Sequence, residues 1–168
     1  MTEPAWLNPA EMEAWLALLT ISDRLPAAID AQLRRDHGLS RFEYYVLAML
    51  SEAEGGCHAM TELSFLTNGS LSRLSHAVSK MQARGLVDRS PDPRDGRTTL
   101  VTLSGEGRAL LEQAAPSHVA EVRRLVLDMV PPNRVTELGA LLRPVVMRIL
   151  GDDAAPPPWE ADMTRRGP

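Results

Sequence analysis

The stretch from Ser70 to Leu103 constrains the fold of this chain most, because it joins an amphipathic helix to a hairpin with a basic tip. Leu71, Leu74, Ala77, Val78 and Met81 recur at the i, i+3, i+4, i+7 spacing of a helix with one apolar face. Ser72, His76 and Ser79 fall opposite them, flanked by Arg73, Ser75 and Lys80, so the exposed face offers donors and positive charge without acid. Gly85 stands where a helix-terminating glycine belongs. Leu86-Val87 opens a strand, the turn-rich run Ser90-Pro91-Asp92-Pro93-Arg94-Asp95-Gly96 follows, and Thr98 to Leu103 forms a β-branched return strand. A helix followed by a hairpin whose tip carries Arg94 and Arg97 suits one element to a DNA groove and one arm to lie beside it.

The 168 residues suffice for one domain with a sizeable core. Aromatic residues make up only 4%, so that core must be aliphatic. The net charge of −4 argues against nucleic acid until its distribution is read. From Met60 to Leu103 six basic residues face four acidic ones, whereas the remainder holds twelve basic against eighteen acidic. Acid is thus concentrated away from the helix and hairpin. The single cysteine, Cys57, rules out an internal disulfide and reads as a small half-buried residue. No apolar run is long enough for a membrane span, and Met1-Thr2-Glu3-Pro4 lacks the start of a signal peptide, so the cytoplasm is expected.

In chain order, Asn8-Pro9-Ala10-Glu11 predicts a capping box opening a helix to about Arg35, with Trp15, Leu18, Leu19, Ser22 and Leu25 on one stripe and Pro26 bending it. Ser40-Arg41-Phe42-Glu43 is a second capping box, with Phe42, Val46, Leu47 and Leu50 as the buried face of the next helix. Cys57-His58-Ala59 suits a strand stub. Thr61 to Leu66 and the polar-faced helix, joined by the Thr67-Asn68-Gly69 turn, have the form of a helix-turn-helix. Ser104 caps a long helix expected to reach Met129 with a kink at Pro116, and a last helix carries Val135, Leu138, Leu141, Leu142, Val145 and Ile149. The tail from Gly151 has little to bury except Trp159 and is expected to be disordered. The terminal helices carry more apolar positions than the small central unit covers, which a two-fold dimer would resolve.

On the run SRLSHAVSKMQARGLVDR, the Asp92-Pro93-Arg94-Asp95-Gly96-Arg97 tip and Leu103-Ser104-Gly105-Glu106-Gly107, the chain resembles the MarR family of winged-helix transcription factors. The resemblance covers roughly Trp15 to Leu150 and implies a mostly α fold with a small β-hairpin wing. It implies a helical dimerisation region from residues 1–36 and 104–150, a winged helix-turn-helix lobe from 37–103, and a tail from 151–168. It also implies a homodimer on pseudo-palindromic double-stranded DNA, acting by repression and releasable by a small aromatic or phenolic effector. Ser70, Ser72, Arg73, Ser75 and His76 would then meet the major groove, and Lys80 and Arg84 phosphates. In the wing, Arg97 would reach the minor groove, held by Asp95, with Arg94 near the backbone.

Trp15, Tyr44, Tyr45 and Met49 lie on the first two helices, where the family's pocket forms, and Arg24 is a candidate partner for an acidic ligand. For each a core or surface role is the plainer reading. His37, His58, His76 and His118 lie on different elements without ligand spacing, so neither a metal nor another cofactor is expected. No nucleophile–base–orienter set is visible, and catalysis is not expected. The alternative reading is a winged-helix adaptor that binds protein and not DNA.

Overall fold

The computed structural model describes residues 6–151, so the expected tail and Trp159 lie outside the described residues. Six helices and a three-stranded sheet follow in the order α1 (Pro9–His37), α2 (Arg41–Glu52), β1 (Cys57–Ala59), α3 (Met60–Leu66), α4 (Leu71–Ala83), β2 (Val87–Pro91), β3 (Thr99–Leu103), α5 (Gly105–Leu125) and α6 (Val135–Leu150). The architecture is mostly helical with a small antiparallel wing, as the sequence predicts.

Local chemistry sets the helix starts. Asn8 accepts the Glu11 N–H at 3.0 Å while the Glu11 carboxylate accepts the Asn8 N–H at 2.8 Å. Ser40 and Glu43 repeat this reciprocal pair for α2. Each box satisfies amides that the first helical turn leaves without intrahelical partners. Pro9 occupies the first turn of α1, where its missing N–H costs nothing. The helix then continues through Pro26 as one element and stops at Gly38, whose φ of 64° a side chain would strain.

The core sits where α2, α3, α4 and the C-terminal part of α1 meet the sheet. Leu33, Leu47, Leu50, Leu63, Leu74, Val78, Met81 and Val101 are fully buried. Each such side chain contributes roughly 1.5–3 kcal/mol of transfer free energy. β3 is the central strand, with β2 on one edge (Val87 opposite Leu103, Arg89 opposite Val101) and β1 on the other (Cys57 opposite Thr102). The strand stub expected at Cys57 therefore widens the hairpin to three strands. Pro91 ends the edge strand β2, where a missing donor is tolerated.

The α3–α4 turn is held from within: Thr67 donates its hydroxyl to Leu63 O at 2.7 Å and Ser64 to Gly69 O at 2.7 Å. At the far end of α4, Gly85 adopts φ 72° and the Leu86 N–H reaches back to Met81 O at 3.0 Å, closing the helix and launching β2. Ser104 then joins this corner to α5, donating its hydroxyl to Gly85 O at 2.6 Å and accepting the Gly107 N–H at 2.9 Å. Gly107 packs so tightly here that a Cβ would overlap the Leu86 carbonyl oxygen and lie 2.9 Å from Leu103 Cδ1.

Two expectations need correction. Leu71 is 50% exposed although helical spacing puts it on the apolar side. Spacing gives the face but not the height, and the first turn of α4 stands above the core. The long helix after the wing stops at Leu125 and not near Met129, because Val126 leaves helical backbone (φ −132°, ψ −63°) before a 3-10 turn at Leu127–Met129. Pro116 lies within the uninterrupted α5, and α6 likewise continues through Pro144.

Candidate nucleic-acid interface

Ser70 caps α4 and accepts the Arg73 N–H at 3.2 Å, which presents the first turn outward. Ser72, Arg73, His76, Ser79 and Lys80 are exposed, while Ser75 is half-buried. Leu74, Val78 and Met81 anchor the opposite side. The exposed face carries no acid of its own. It is fixed to the wing by Arg89 of β2, whose guanidinium donates to Ser75 O at 2.7 Å.

The cations of this helix have unequal freedom. Lys80 pairs at 3.1 Å with Glu43 of α2, a carboxylate almost wholly buried. Burial pushes the Glu43 carboxyl up, but Ser40 and Lys80 outweigh it and hold it below the usual carboxylate range. Arg84 donates to Gly38 O at 3.1 Å, tying the end of α4 to the end of α1. Arg73 instead lies with its guanidinium carbon 4.2 Å from the centroid of the Phe42 ring.

In the wing, Asp92 accepts the Arg94 N–H at 2.8 Å and Asp95 accepts the Arg97 N–H at 3.1 Å, two turns closed by carboxylates. Asp95 also receives Arg97 Nε and the Thr98 hydroxyl, each at 3.3 Å. The Arg97 N–H and side chain hold the Asp95 carboxyl below its ordinary range. The Arg97 side chain remains 94% exposed, aimed outward from a braced turn.

The candidate ligand pocket is rearranged relative to expectation. A cleft of about 230 Å³ opens between α1, α2 and α5, lined by Leu25, Pro26, Ile29, Arg41, Tyr45, His118, Val122 and Val126. Of the five residues expected there, only Tyr45 lines it. Tyr44 is buried behind it, its ring 4.4 Å from the His118 ring. Met49 packs against the core, and Trp15 and Arg24 are exposed higher on α1. The bend expected at Pro26 does not bring that upper half inward.

Arg41 and His118 are the polar groups that sequence reasoning missed. Arg41 stacks over Tyr45 at 5.1 Å. His118 Nδ1 is buried without a hydrogen-bond partner. The signal for His118 was its place between Ala114 and Val122 on the apolar stripe of α5.

Burial pushes the His118 imidazole below its ordinary range. The unfolded chain takes up this proton below about pH 6.5 while the folded chain resists it, so stability rises with pH through that window. Melting temperature is therefore expected to fall as pH drops from about 7 to 5. His118→Phe, which keeps a ring against Tyr44 but cannot ionise, should show a shallower fall. Identical pH dependences would overturn this reading.

Among the described residues, no three His, Cys, Asp or Glu side chains gather to hold a metal ion, and no helix is long and apolar enough to cross a membrane. What the geometry defines is a winged helix-turn-helix: an outward helix without acid, braced to a hairpin with an exposed arginine.

Comparison with known proteins agrees. The MarR family model matches residues 37–98. The structure of Sco3205, a MarR family transcriptional regulator from Streptomyces coelicolor in complex with DNA, is 34% identical, with a TM-score of 0.84 over 94% of this chain and 98% of that one. AbsC, a MarR family regulator from the same organism, is also 34% identical, with a TM-score of 0.82 over 89% of this chain and all of that one. Among curated proteins, the transcriptional repressor YetL of Bacillus subtilis is 25% identical over 116 residues, 69% of each chain. This chain belongs to the MarR family and is a DNA-binding transcriptional regulator, not an enzyme.

Proposed function

We propose that this regulator binds a pseudo-palindromic duplex as a homodimer, one α4 per half-site, and represses transcription from it. The observation that carries the reading is the acid-free face of α4 braced beside an exposed Arg97, in a chain similar to a regulator solved with DNA. Ser70, Ser72, Arg73, Ser75 and His76 face base edges in this reading, while Lys80, Arg84 and Arg94 lie toward phosphates. Lys80 and Arg84 would do so while keeping their partners in α2 and at Gly38. Asp95 orients Arg97 for the minor groove. Residues 37–103 form the DNA-binding lobe, and residues 1–36 and 104–150 supply the dimerisation region. Repression is supported by the similarity to YetL.

The cleft between α1, α2 and α5 is the effector site in this reading. Its walls are apolar, and Arg41, Tyr45 and the unpartnered His118 nitrogen supply the polar groups. That combination suits a small aromatic or phenolic acid, which releases DNA by favouring a different spacing of the two lobes.

Binding to a duplex selected by the wild-type protein from a randomised pool tests the reading. Arg97→Ala is expected to weaken binding to all sequences and to reduce the dependence of log K on log salt by about one unit per lobe. A·T-rich flanks should lose most if the groove is narrow there. An unchanged affinity and slope would remove the wing from the interface. Failure of the wild-type chain to select any duplex would favour the protein-binding adaptor.

A further inference from the structure

Arg73 is held in a way that differs from the other cations on and beside α4. Lys80 is paired with Glu43, Arg84 with the Gly38 carbonyl and Arg89 with the Ser75 carbonyl. Among the described residues, no carboxylate pairs with Arg73; its guanidinium lies over the Phe42 ring at 4.2 Å. Phe42 itself is only 5% exposed. Its edge is set by Gly69, where a Cβ would stand 2.7 Å from both Cε2 and Cζ of the ring. Gly69, in the turn between α3 and α4, thus leaves the space that the ring edge fills, and the ring offers one face to Arg73. The Arg73 backbone is fixed independently by the Ser70 cap.

We propose that Phe42, a core residue of α2, is a positioning residue for DNA readout, holding Arg73 in the conformation that meets a base. The inference rests on the reading that α4 enters the major groove. Stacking uses the face of a guanidinium and leaves its in-plane N–H donors free at the edge. Bidentate recognition of guanine O6 and N7 uses that edge. A free arginine must give up its rotamer freedom on binding, and an arginine already ordered on a ring has less to lose. The requirement for a glycine at Gly69 then follows from the ring and not from the turn alone.

The test uses the full chain, the selected duplex and a random duplex of equal length. Phe42→Leu is expected to lower affinity for the selected duplex about three- to tenfold, the range that ordering one long side chain spans. It should leave random-duplex affinity and the salt slope unchanged and relax preference at one base position per half-site. The double variant Phe42→Leu, Arg73→Ala should lose no more than Arg73→Ala alone, as coupled residues do.

A readout in the unliganded protein covers the case in which Phe42→Leu fails to fold. The Arg73 side-chain protons should be ring-current shifted in the wild-type NMR spectrum. Unshifted Arg73 protons would overturn the proposal, as would a folded Phe42→Leu protein with full discrimination, or additive losses in the double variant. Loss of discrimination in Arg73→Ala but not in Phe42→Leu would overturn this inference and leave the groove reading standing. No loss in Arg73→Ala would overturn both.

Discussion

Replacing Leu141 and Val145 together by Asp is expected to convert a dimer into a monomer that no longer binds a two-half-site duplex. The reason lies in α6, a helix of 16 residues without one buried residue in its own chain. Leu141, Val145 and Ile149 are 62%, 44% and 78% exposed and repeat every four residues along one stripe. Trp15, Leu16, Leu18 and Leu19 on the upper half of α1 are uncovered in the same way. A helix of this length is marginal in water and takes its stability from packing. A second copy offers the same stripes about a two-fold axis, where each surface meets its own equivalent. A carboxylate placed in that contact without a partner costs several kcal/mol, and the double variant places four in one dimer. Sedimentation at micromolar concentration decides the matter: a wild-type monomer, or a variant that stays dimeric, would remove α6 from the interface.

Gly107→Ala is the second large effect, and it acts through backbone and not through charge. The added methyl would overlap the Leu86 carbonyl oxygen, which belongs to the corner where α4 passes into β2. Neither backbone can yield without pulling α5 from the wing. A loss of roughly 3 kcal/mol is expected, and with it a fall in melting temperature on the order of 10 °C. Gly105→Ala, two residues earlier in the same helix, is the control. Nothing lies within 4 Å of a Cβ there, so that variant should melt at or slightly above the wild type. Equal melting temperatures for the two variants would refute the close approach.

The features legible in the sequence were those that local chemistry decides. The Asn8–Glu11 and Ser40–Glu43 boxes, the Ser104 cap and the Gly85 stop each depend on a few neighbouring residues. The structure realises each as read. The outward set of Ser72, Arg73, His76 and Ser79 was readable for the same reason, since helical period fixes direction. What failed depended on distance along or between helices. Leu71 shares a face with Leu74 but stands above the core. Val126 interrupts a pattern that hydrophobic spacing alone would continue. The cleft draws on three helices far apart in sequence, so Arg41 and His118 carried no sign of sharing one wall. Trp15 and Arg24 lie on α1 and do not line that cleft. The stacking of Arg73 on Phe42 was invisible for the same reason, because it joins α2 to α4 across β1, α3 and the turn between the helices.

The corner at Gly85 has a metrical consequence. The Leu86 and Ser104 hydrogen bonds there, with Arg89 clamped to Ser75, leave α4 and the hairpin no freedom to slide past each other. The base of the hairpin is therefore fixed relative to α4 within the lobe, much as two pins are fixed in one jig. In the proposed complex, substitutions on the outward face would change which letters are preferred, but not how far apart the two readings fall. In the proposed dimer the gap between lobes stays adjustable, and an effector that widened or narrowed it would shift whole half-sites out of phase without remodelling either lobe.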